Sequence, residues 1–325
     1  MIEHRIGTTR RSEAVHAISK LVFRPALRYA PMTRHVPHVL RYVDRAANVI
    51  PRSGRCSHQE IVAETWRGEL VRPVDGTTSE GVILYAHGGA FISCGMATHR
   101  RIVDRLAHRT GMAVLNIDYR QLPLGTVEDA IEDCLDAFTW LNRQGFAPSQ
   151  IVLCGDSAGG HLAFATALEL RKRGLGMPAG IVGLSPWLDF DDRAKATHHN
   201  AVRDAYIPVR KLRRVGRMAL GTRVELHHSP VNADLTGMPP TLIICGEDEI
   251  LRVDAELMAE RLLDHGVECT LQVWERQVHA FPVIADLNPE SMAAIEEVAV
   301  FATEATDVAA RPAARAPLRS IGGVA

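Results

Sequence analysis

No C-x-x-C spacing occurs in this chain, so neither a zinc knuckle nor a thioredoxin-type redox site is indicated. The six cysteines, Cys56, Cys94, Cys134, Cys154, Cys245 and Cys269, are scattered singly. Cys154 and Cys245 fall inside apolar runs, where a small buried thiol is the ordinary reading, and a reducing compartment is expected. No H-E-x-x-H motif is present, and the adjacent pairs His198-His199 and His227-His228 have no nearby acid to complete a metal site, so each pair is expected to diverge as solvated side chains. Gly155–Gly160 lacks the spacing of a dinucleotide loop, and no phosphate-cradling glycine loop appears elsewhere, so neither a metal nor a nucleotide cofactor is expected. The net charge is −1, which gives no reason to expect nucleic acid as a partner. The N-terminal residues hold no long apolar stretch, so no signal peptide or spanning helix is expected and a cytoplasmic location is. No internal repeat is evident.

What is present is ordinary for a globular protein. The 325 residues, 46% hydrophobic and 23% charged, suffice for a large core. From residue 82 apolar runs alternate with amphipathic helices. Strands are expected at Val82–Ala86, Ala113–Ile117, Ile151–Cys154, Gly180–Leu184, Thr241–Cys245 and Thr270–Trp274, and helices at His99–Thr110, Glu128–Arg143 and Ala255–Asp264. This alternation predicts an α/β fold, a mostly parallel sheet with helices on both faces. Ile61–Val74 reads as an antiparallel hairpin at the sheet edge and residues 75–79 as a turn.

Three segments lie outside this rhythm. Residues 1–60 are rich in arginine, with Ala14, Val15, Ile18, Leu21 and Val22 at helical spacing. They read as cap helices packed over the main domain. The alternative is a basic amphipathic segment in weak contact with an anionic membrane surface, against which Pro25, Pro31, Pro37 and Pro51 weigh. Residues 189–228 are charged, with one helix around Val209–Leu220, and form a cap insertion in the catalytic domain, which spans 61–305. Residues 306–325 are rich in Ala, Arg, Pro and Gly and are expected to be a disordered tail.

The chemistry centres on Val152-Leu153-Cys154-Gly155-Asp156-Ser157-Ala158-Gly159-Gly160. An apolar run, a G-x-S-x-G turn and a helix from Leu162 follow in succession, the context that holds a serine hydroxyl out at a strained turn above a sheet. A serine nucleophile needs a base, and the base an orienting acid. The run Thr241–Cys245 ends in Gly246-Glu247-Asp248-Glu249, and His279 follows the next strand, so Ser157, an acid and His279 come in the chain order of an α/β-hydrolase. The residues alone leave Glu247, Asp248 and Glu249 open as the acid. Ser185 resembles a second nucleophile, but Pro186 and the missing glycines make it a helix cap instead. After the first regular strand comes His87-Gly88-Gly89-Ala90-Phe91. Paired glycines let backbone amides approach a substrate closely, so Gly88 and Gly89, with the amide of Ala158, are expected to form an oxyanion hole, and His87 to fasten the loop.

These pieces together resemble the hormone-sensitive lipase family of α/β-hydrolase esterases. The matching stretches are His87-Gly88-Gly89-Ala90-Phe91, Asp118-Tyr119-Arg120, Gly155-Asp156-Ser157-Ala158-Gly159-Gly160, Ser185-Pro186-Trp187-Leu188-Asp189, Ser229-Pro230, Asp248-Glu249-Ile250-Leu251 and His279-Ala280-Phe281, in the family's order over about residues 80–285. The resemblance implies Ser157 as nucleophile, His279 as base, Asp248 as the acid, the amides of Gly88, Gly89 and Ala158 as the oxyanion hole, and a cap over the site. The chain departs from the family at Ala90, at Ala280, and in the shortened stretch Gln121–Val127 that borders the family's acyl pocket. The reaction expected is hydrolysis of small-molecule carboxylic esters with small to medium acyl groups. A lipase or an amidase on the same triad is the alternative, and a ligand receptor that has lost its histidine is a remote one, since His279 is present. A homodimer through an edge strand is the oligomer expected.

Overall fold

Uninterrupted runs of Val, Ile and Leu have no face to offer water, and in this chain they become the strands of one central sheet. The computed structural model describes residues 1–310 apart from 32, 34, 50, 75–78 and 221–228. In chain order come β1 (Ile2–Arg5), α1 (Arg10–Ile18), a π-helical turn at Ser19–Phe23, α2 (Arg24–Tyr29) and α3 (Val36–Ala47). The hairpin β2 (Cys56–Val62) and β3 (Arg67–Pro73) follows. Then β4 (Val82–Ala86), α4 (Arg100–Thr110), β5 (Ala113–Asp118), α5 (Val127–Arg143), β6 (Ile151–Asp156), α6 (Ala158–Arg173) and β7 (Gly180–Leu184) alternate. The short helices α7 (Arg193–Thr197), α8 (Asn200–Arg203) and α9 (Val209–Leu220) precede β8 (Thr241–Gly246), α10 (Arg252–Asp264), β9 (Cys269–Trp274) and α11 (Pro289–Ala310).

The strand order is β1-β9-β8-β7-β6-β4-β5-β3-β2, parallel from β1 to β5 and antiparallel at β3 and β2. Each central strand feeds both faces. Leu84, Leu153 and Ile243 join the core with Phe138, Phe164 and Leu262 on the α5, α6 and α10 side. Tyr85, Val152 and Ile244 join Ile102, Leu106 and Val298 on the α4 and α11 side. The parallel register aligns the carboxyl ends: Gly155 pairs with Ala86 and Gly183, Leu184 with Ile244, and Gly246 with Trp274. The loops after β4, β6, β7, β8 and β9 therefore meet along one rim.

The elements differ from the sequence reading at the ends of the chain. Ile2–Arg5, expected among the cap helices, pairs with β9 as an edge strand. The hairpin begins at Cys56 rather than at Ile61, because Cys56 pairs with Pro73. Residues 306–310, expected in the tail, continue α11, with the Thr306 side chain buried against the core and its hydroxyl donating to the Ala302 carbonyl. Residues 75–78 of the turn expected at 75–79, the remainder of the tail and the His227-His228 pair lie outside the described residues.

Candidate active site

The turn between β6 and α6 holds Ser157 at φ 52° and ψ −114°, a strained backbone conformation for a residue with a Cβ. Two hydrogen bonds hold it there: its amide donates to the Leu184 carbonyl at 2.9 Å, and its carbonyl accepts from Trp187 at 3.0 Å. The flanking glycines are required by contact. A Cβ on Gly159 would lie 1.9 Å from the Ala86 carbonyl oxygen, and one on Gly155 would lie 2.4 Å from the Gly159 backbone. The close approach lets α6 start directly under Ser157, so the Ala158 amide, first in the helix, has no intrahelical acceptor and faces the rim.

His279 leaves β9 on a loop tied to the neighbouring strand ends: the amide of Ala280 donates to Ser185 Oγ at 3.0 Å, and Ser185 follows β7, the strand beside β6. Ser185 is thus the fastener between the histidine loop and the sheet. The helix cap expected there is absent, because Ser185 stands at φ 49° with its amide bonded to Ile244 and the next helix begins only at Arg193.

The acid that meets the imidazole is Glu249. Its Oε2 lies 2.8 Å from His279 Nδ1, and its Oε1 accepts the Gly246 amide at 2.9 Å. Asp248, the residue expected, turns outward to Arg203, 3.8 Å away, with its side chain one-fifth exposed. The tight turn after β8 sends consecutive side chains in different directions, and the longer glutamate folds back under the histidine. Burial pushes the His279 imidazole down, but the Glu249 carboxylate, with Asp204 and Asp156 further off, more than offsets it and raises the pKa.

The cap insertion grips this acid loop from outside. Asn200 Nδ2 donates to the carbonyls of Glu247 and Glu249 at 2.9 Å each, and Asp204 accepts the amides of Tyr206, Ile207 and Ile250 at 2.6–2.7 Å. Tyr206 lies over His279 with ring centroids 6.1 Å apart, and Phe23 of the N-terminal segment lies 6.3 Å from Tyr206. Nothing in the local sequence around Asn200 and Asp204 marked them out, since their partners are some 46–49 positions away.

The glycine loop after β4 is fixed by Asp156, the residue before the serine. Asp156 Oδ1 accepts the amide of Gly88 at 2.9 Å and the Tyr85 hydroxyl at 2.8 Å, and His99 Nε2 lies 3.2 Å from it. The Gly88 amide is therefore turned inward to a carboxylate, away from a substrate oxygen, which corrects its expected place in the oxyanion hole. The amides of Gly89 and Ala90 have no hydrogen-bond acceptor among the described residues, and positive φ values of 116° and 56° turn this pair of peptides. His87 stacks on Tyr119 with centroids 4.5 Å apart, places Nδ1 2.7 Å from the Gly88 carbonyl, and takes the Tyr119 hydroxyl on its own carbonyl at 2.8 Å. Burial and the neighbouring His99 push its pKa down to about 4. A neutral ring wedged beneath the loop supports its shape.

The remaining sequence candidates fall elsewhere. The rings of His198 and His199, expected to diverge, lie 3.9 Å apart, because the backbone turns between α7 and α8. Among the described residues no group of three His, Cys, Asp or Glu side chains could hold a metal ion, and no helix is long and apolar enough to cross a membrane. A cavity of about 470 Å³ lies between Trp66, Asp118 and Gln121–Leu124, and neither Ser157 nor His279 lines it. The shortened stretch thus borders a space beside the site.

Comparison with known proteins agrees with this fold. A family model described as alpha/beta hydrolase fold matches residues 83–283. Esterase LipU of Mycobacterium tuberculosis is 34% identical over 299 residues, covering 88% of this chain and all of LipU. The carboxylesterase/phospholipase LipF of the same organism is 34% identical over 302 residues, covering 89% of this chain and 80% of LipF. The crystal structure of an esterase from the bacterial hormone-sensitive lipase family superposes with a TM-score of 0.83 at 28% identity, over 93% of this chain and 100% of that one. The matched span and these relatives show that the chain belongs to the hormone-sensitive lipase family of α/β-hydrolase esterases.

Proposed function

We propose that this carboxylic ester hydrolase works through Ser157 as nucleophile, His279 as general base and Glu249 as the acid that orients it, in a reaction that needs no cofactor. Ser157 Oγ forms a bond to the ester carbonyl carbon while its proton passes to His279 Nε2. The carbonyl oxygen becomes an oxyanion held by the amides of Gly89, Ala90 and Ala158. The carbon–alkoxy bond then breaks and the alcohol leaves with the proton from His279. Water repeats the sequence on the acyl-enzyme and frees Ser157.

The observation that carries the reading is the 2.8 Å contact from Glu249 Oε2 to His279 Nδ1. A carboxylate there keeps the ring proton on Nδ1, so Nε2 is left to accept one, and the imidazolium that forms is stabilised. The names of LipU and LipF, an esterase and a carboxylesterase/phospholipase, support an ester as the bond cleaved. Small to medium acyl groups are the substrates proposed.

A chromogenic ester series of rising acyl length, run beside a fluorophosphonate probe, tests this. The wild type is expected to hydrolyse the short and medium esters and to take up the probe, and Ser157→Ala to do neither. Labelling that persists in Ser157→Ala, or esters left intact by the wild type, would overturn it.

A further inference from the structure

The N-terminal helices leave several apolar residues facing outward. In α1 and the π turn after it, Ser12 and Ser19 are buried, while Ile18, Leu21 and Val22 face outward, Leu21 with 77% of its surface exposed. The orientation is set by polar contacts. Ser12 Oγ lies 2.7 Å from Glu290 Oε2, 2.5 Å from Asn288 Oδ1 and 3.2 Å from Gln277 Oε1, and the Thr9 amide donates to Glu290 at 2.5 Å. The helix is held serine side in with Val15 against the core, and Ile18, Leu21 and Val22 are left outside.

Helix α3 also leaves apolar residues outside. Pro37 is buried, Val36 and Leu40 pack against the core, and Asp44 accepts the Thr98 amide at 2.8 Å. Val39, Tyr42 and Val43, at i, i+3 and i+4, flank that stripe and are all exposed, Val39 at 66%. A water-facing helix surface ordinarily carries charged and polar residues in these places.

The charges beside these residues are mainly positive. Arg10, Arg11, Lys20, Arg28 and Arg45 are exposed, and Glu13 is the exposed acid of the described residues in this stretch. A two-fold interface between copies of the chain would bring these cations against their own duplicates with no matching acids. An anionic lipid surface supplies both complements, phosphate for the cations and the acyl boundary for the leucine and valines.

We propose that the outward faces of α1–α2 and α3 dock on an anionic lipid surface. Phe23, Tyr206 and His279 form a chain of neighbouring rings from this segment to the catalytic rim. Docking there places the site above esters held in the surface, so the substrate class includes lipid esters. This last step rests on the esterase reading of Ser157; the docking does not.

Flotation with vesicles tests the docking without chemistry. Wild type and Ser157→Ala are expected to float equally with phosphatidylcholine vesicles containing phosphatidylglycerol, less so at high salt, and to stay behind with phosphatidylcholine alone. The variant L21S/V22S/V39S/V43S should lose roughly tenfold or more of the bound fraction while hydrolysis of a soluble short-chain chromogenic ester is unchanged. Three results would overturn the docking: no flotation of wild type on the anionic vesicles, equal flotation of the quadruple variant, or a wild-type dimer in light scattering that the quadruple variant converts to monomer. Intact flotation without hydrolysis of any soluble ester would overturn the substrate class and the esterase reading, and leave the docking standing.

Discussion

Asp156 Oδ1 and His99 Nε2 face each other at 3.2 Å in the closed space behind Ser157. Both side chains are buried, and each shifts the other. Burial alone would raise the Asp156 carboxyl, yet His99 brings it below its ordinary value, and His99 itself is raised by Asp156 against burial. The same carboxylate holds Gly88 and Tyr85, so one charge pair sets the glycine loop against the serine turn. His99→Gln keeps a donor but removes the charge and leaves Asp156 buried without its partner. A loss of about 3 kcal/mol in urea unfolding is expected, with a fall in kcat. A urea midpoint equal to the wild type's would show that the pair contributes nothing.

Glu249→Gln and Asp248→Asn separate the two candidate acids. Glutamine retains the size of Glu249 but cannot stabilise the imidazolium, so kcat/KM is expected to fall by about 10²–10⁴-fold. Asp248→Asn should stay close to wild type, since Asp248 turns to Arg203 at 3.8 Å while Glu249 takes the imidazole. The pH profile carries a second sign. With His279 as the base proposed above, activity requires its neutral form and is lost as pH falls through its pKa, which Glu249 raises. Removing that carboxylate lowers the pKa, so the acid limb of Glu249→Gln should move to lower pH. A limb that stays in place, or a larger loss from Asp248→Asn, would return the role to Asp248.

Gly159→Ala is a test of the turn itself. The new Cβ would meet the Ala86 carbonyl oxygen at 1.9 Å and the His87 carbonyl oxygen at 2.6 Å, both backbone atoms that cannot swing aside. Relief requires α6 to move off β4, at about 3 kcal/mol or more, with loss of activity. Gly54→Ala is the control: a Cβ there meets nothing within 4 Å, and a change within about 0.5 kcal/mol is expected. Equal unfolding midpoints for the two variants would remove the steric argument for the glycine.

The sheet was legible because its strands are buried on both sides, and continuous apolar runs such as Val82–Ala86 and Ile151–Cys154 have few other places to go. Ser157 was legible because a strand, a sharp turn and a helix leave a local signature. The acid was not. Glu247, Asp248 and Glu249 share a turn without periodicity, and the choice among them depends on where His279 arrives from 30 residues away. Gly88 was misread for a related reason: adjacent peptides in a loop point different ways, and only the Asp156 contact shows which amide turns inward. β1 escaped notice because Ile2–Arg5 is short and polar in three of its four residues, and it becomes a strand only because β9 offers it an edge.

The cap insertion is fastened to the scaffold by a buried ion pair. Lys195 Nζ on α7 lies 2.6 Å from Asp254 Oδ1 on α10 and 2.9 Å from the Asp189 carbonyl, while Asp254 Oδ2 takes the amides of Leu188 and Asp189 at 3.0 Å. Burial pushes the Asp254 carboxyl up to about 6 even with Lys195 opposing it. Lys195→Met removes that opposition, so the folded-state pKa rises further above the unfolded one. A raised carboxyl favours the protonated folded state, and its stability falls as pH rises through that pKa. The variant should therefore lose about 3–5 kcal/mol at pH 8 and less at pH 5. Adding Asp254→Asn keeps an oxygen for the two amides while removing the charge, and is expected to restore part of the loss at pH 8. Urea unfolding of the two variants at both pH values checks this, and a deficit independent of pH would mean that lost packing, rather than the stranded carboxylate, is what the lysine supplies against.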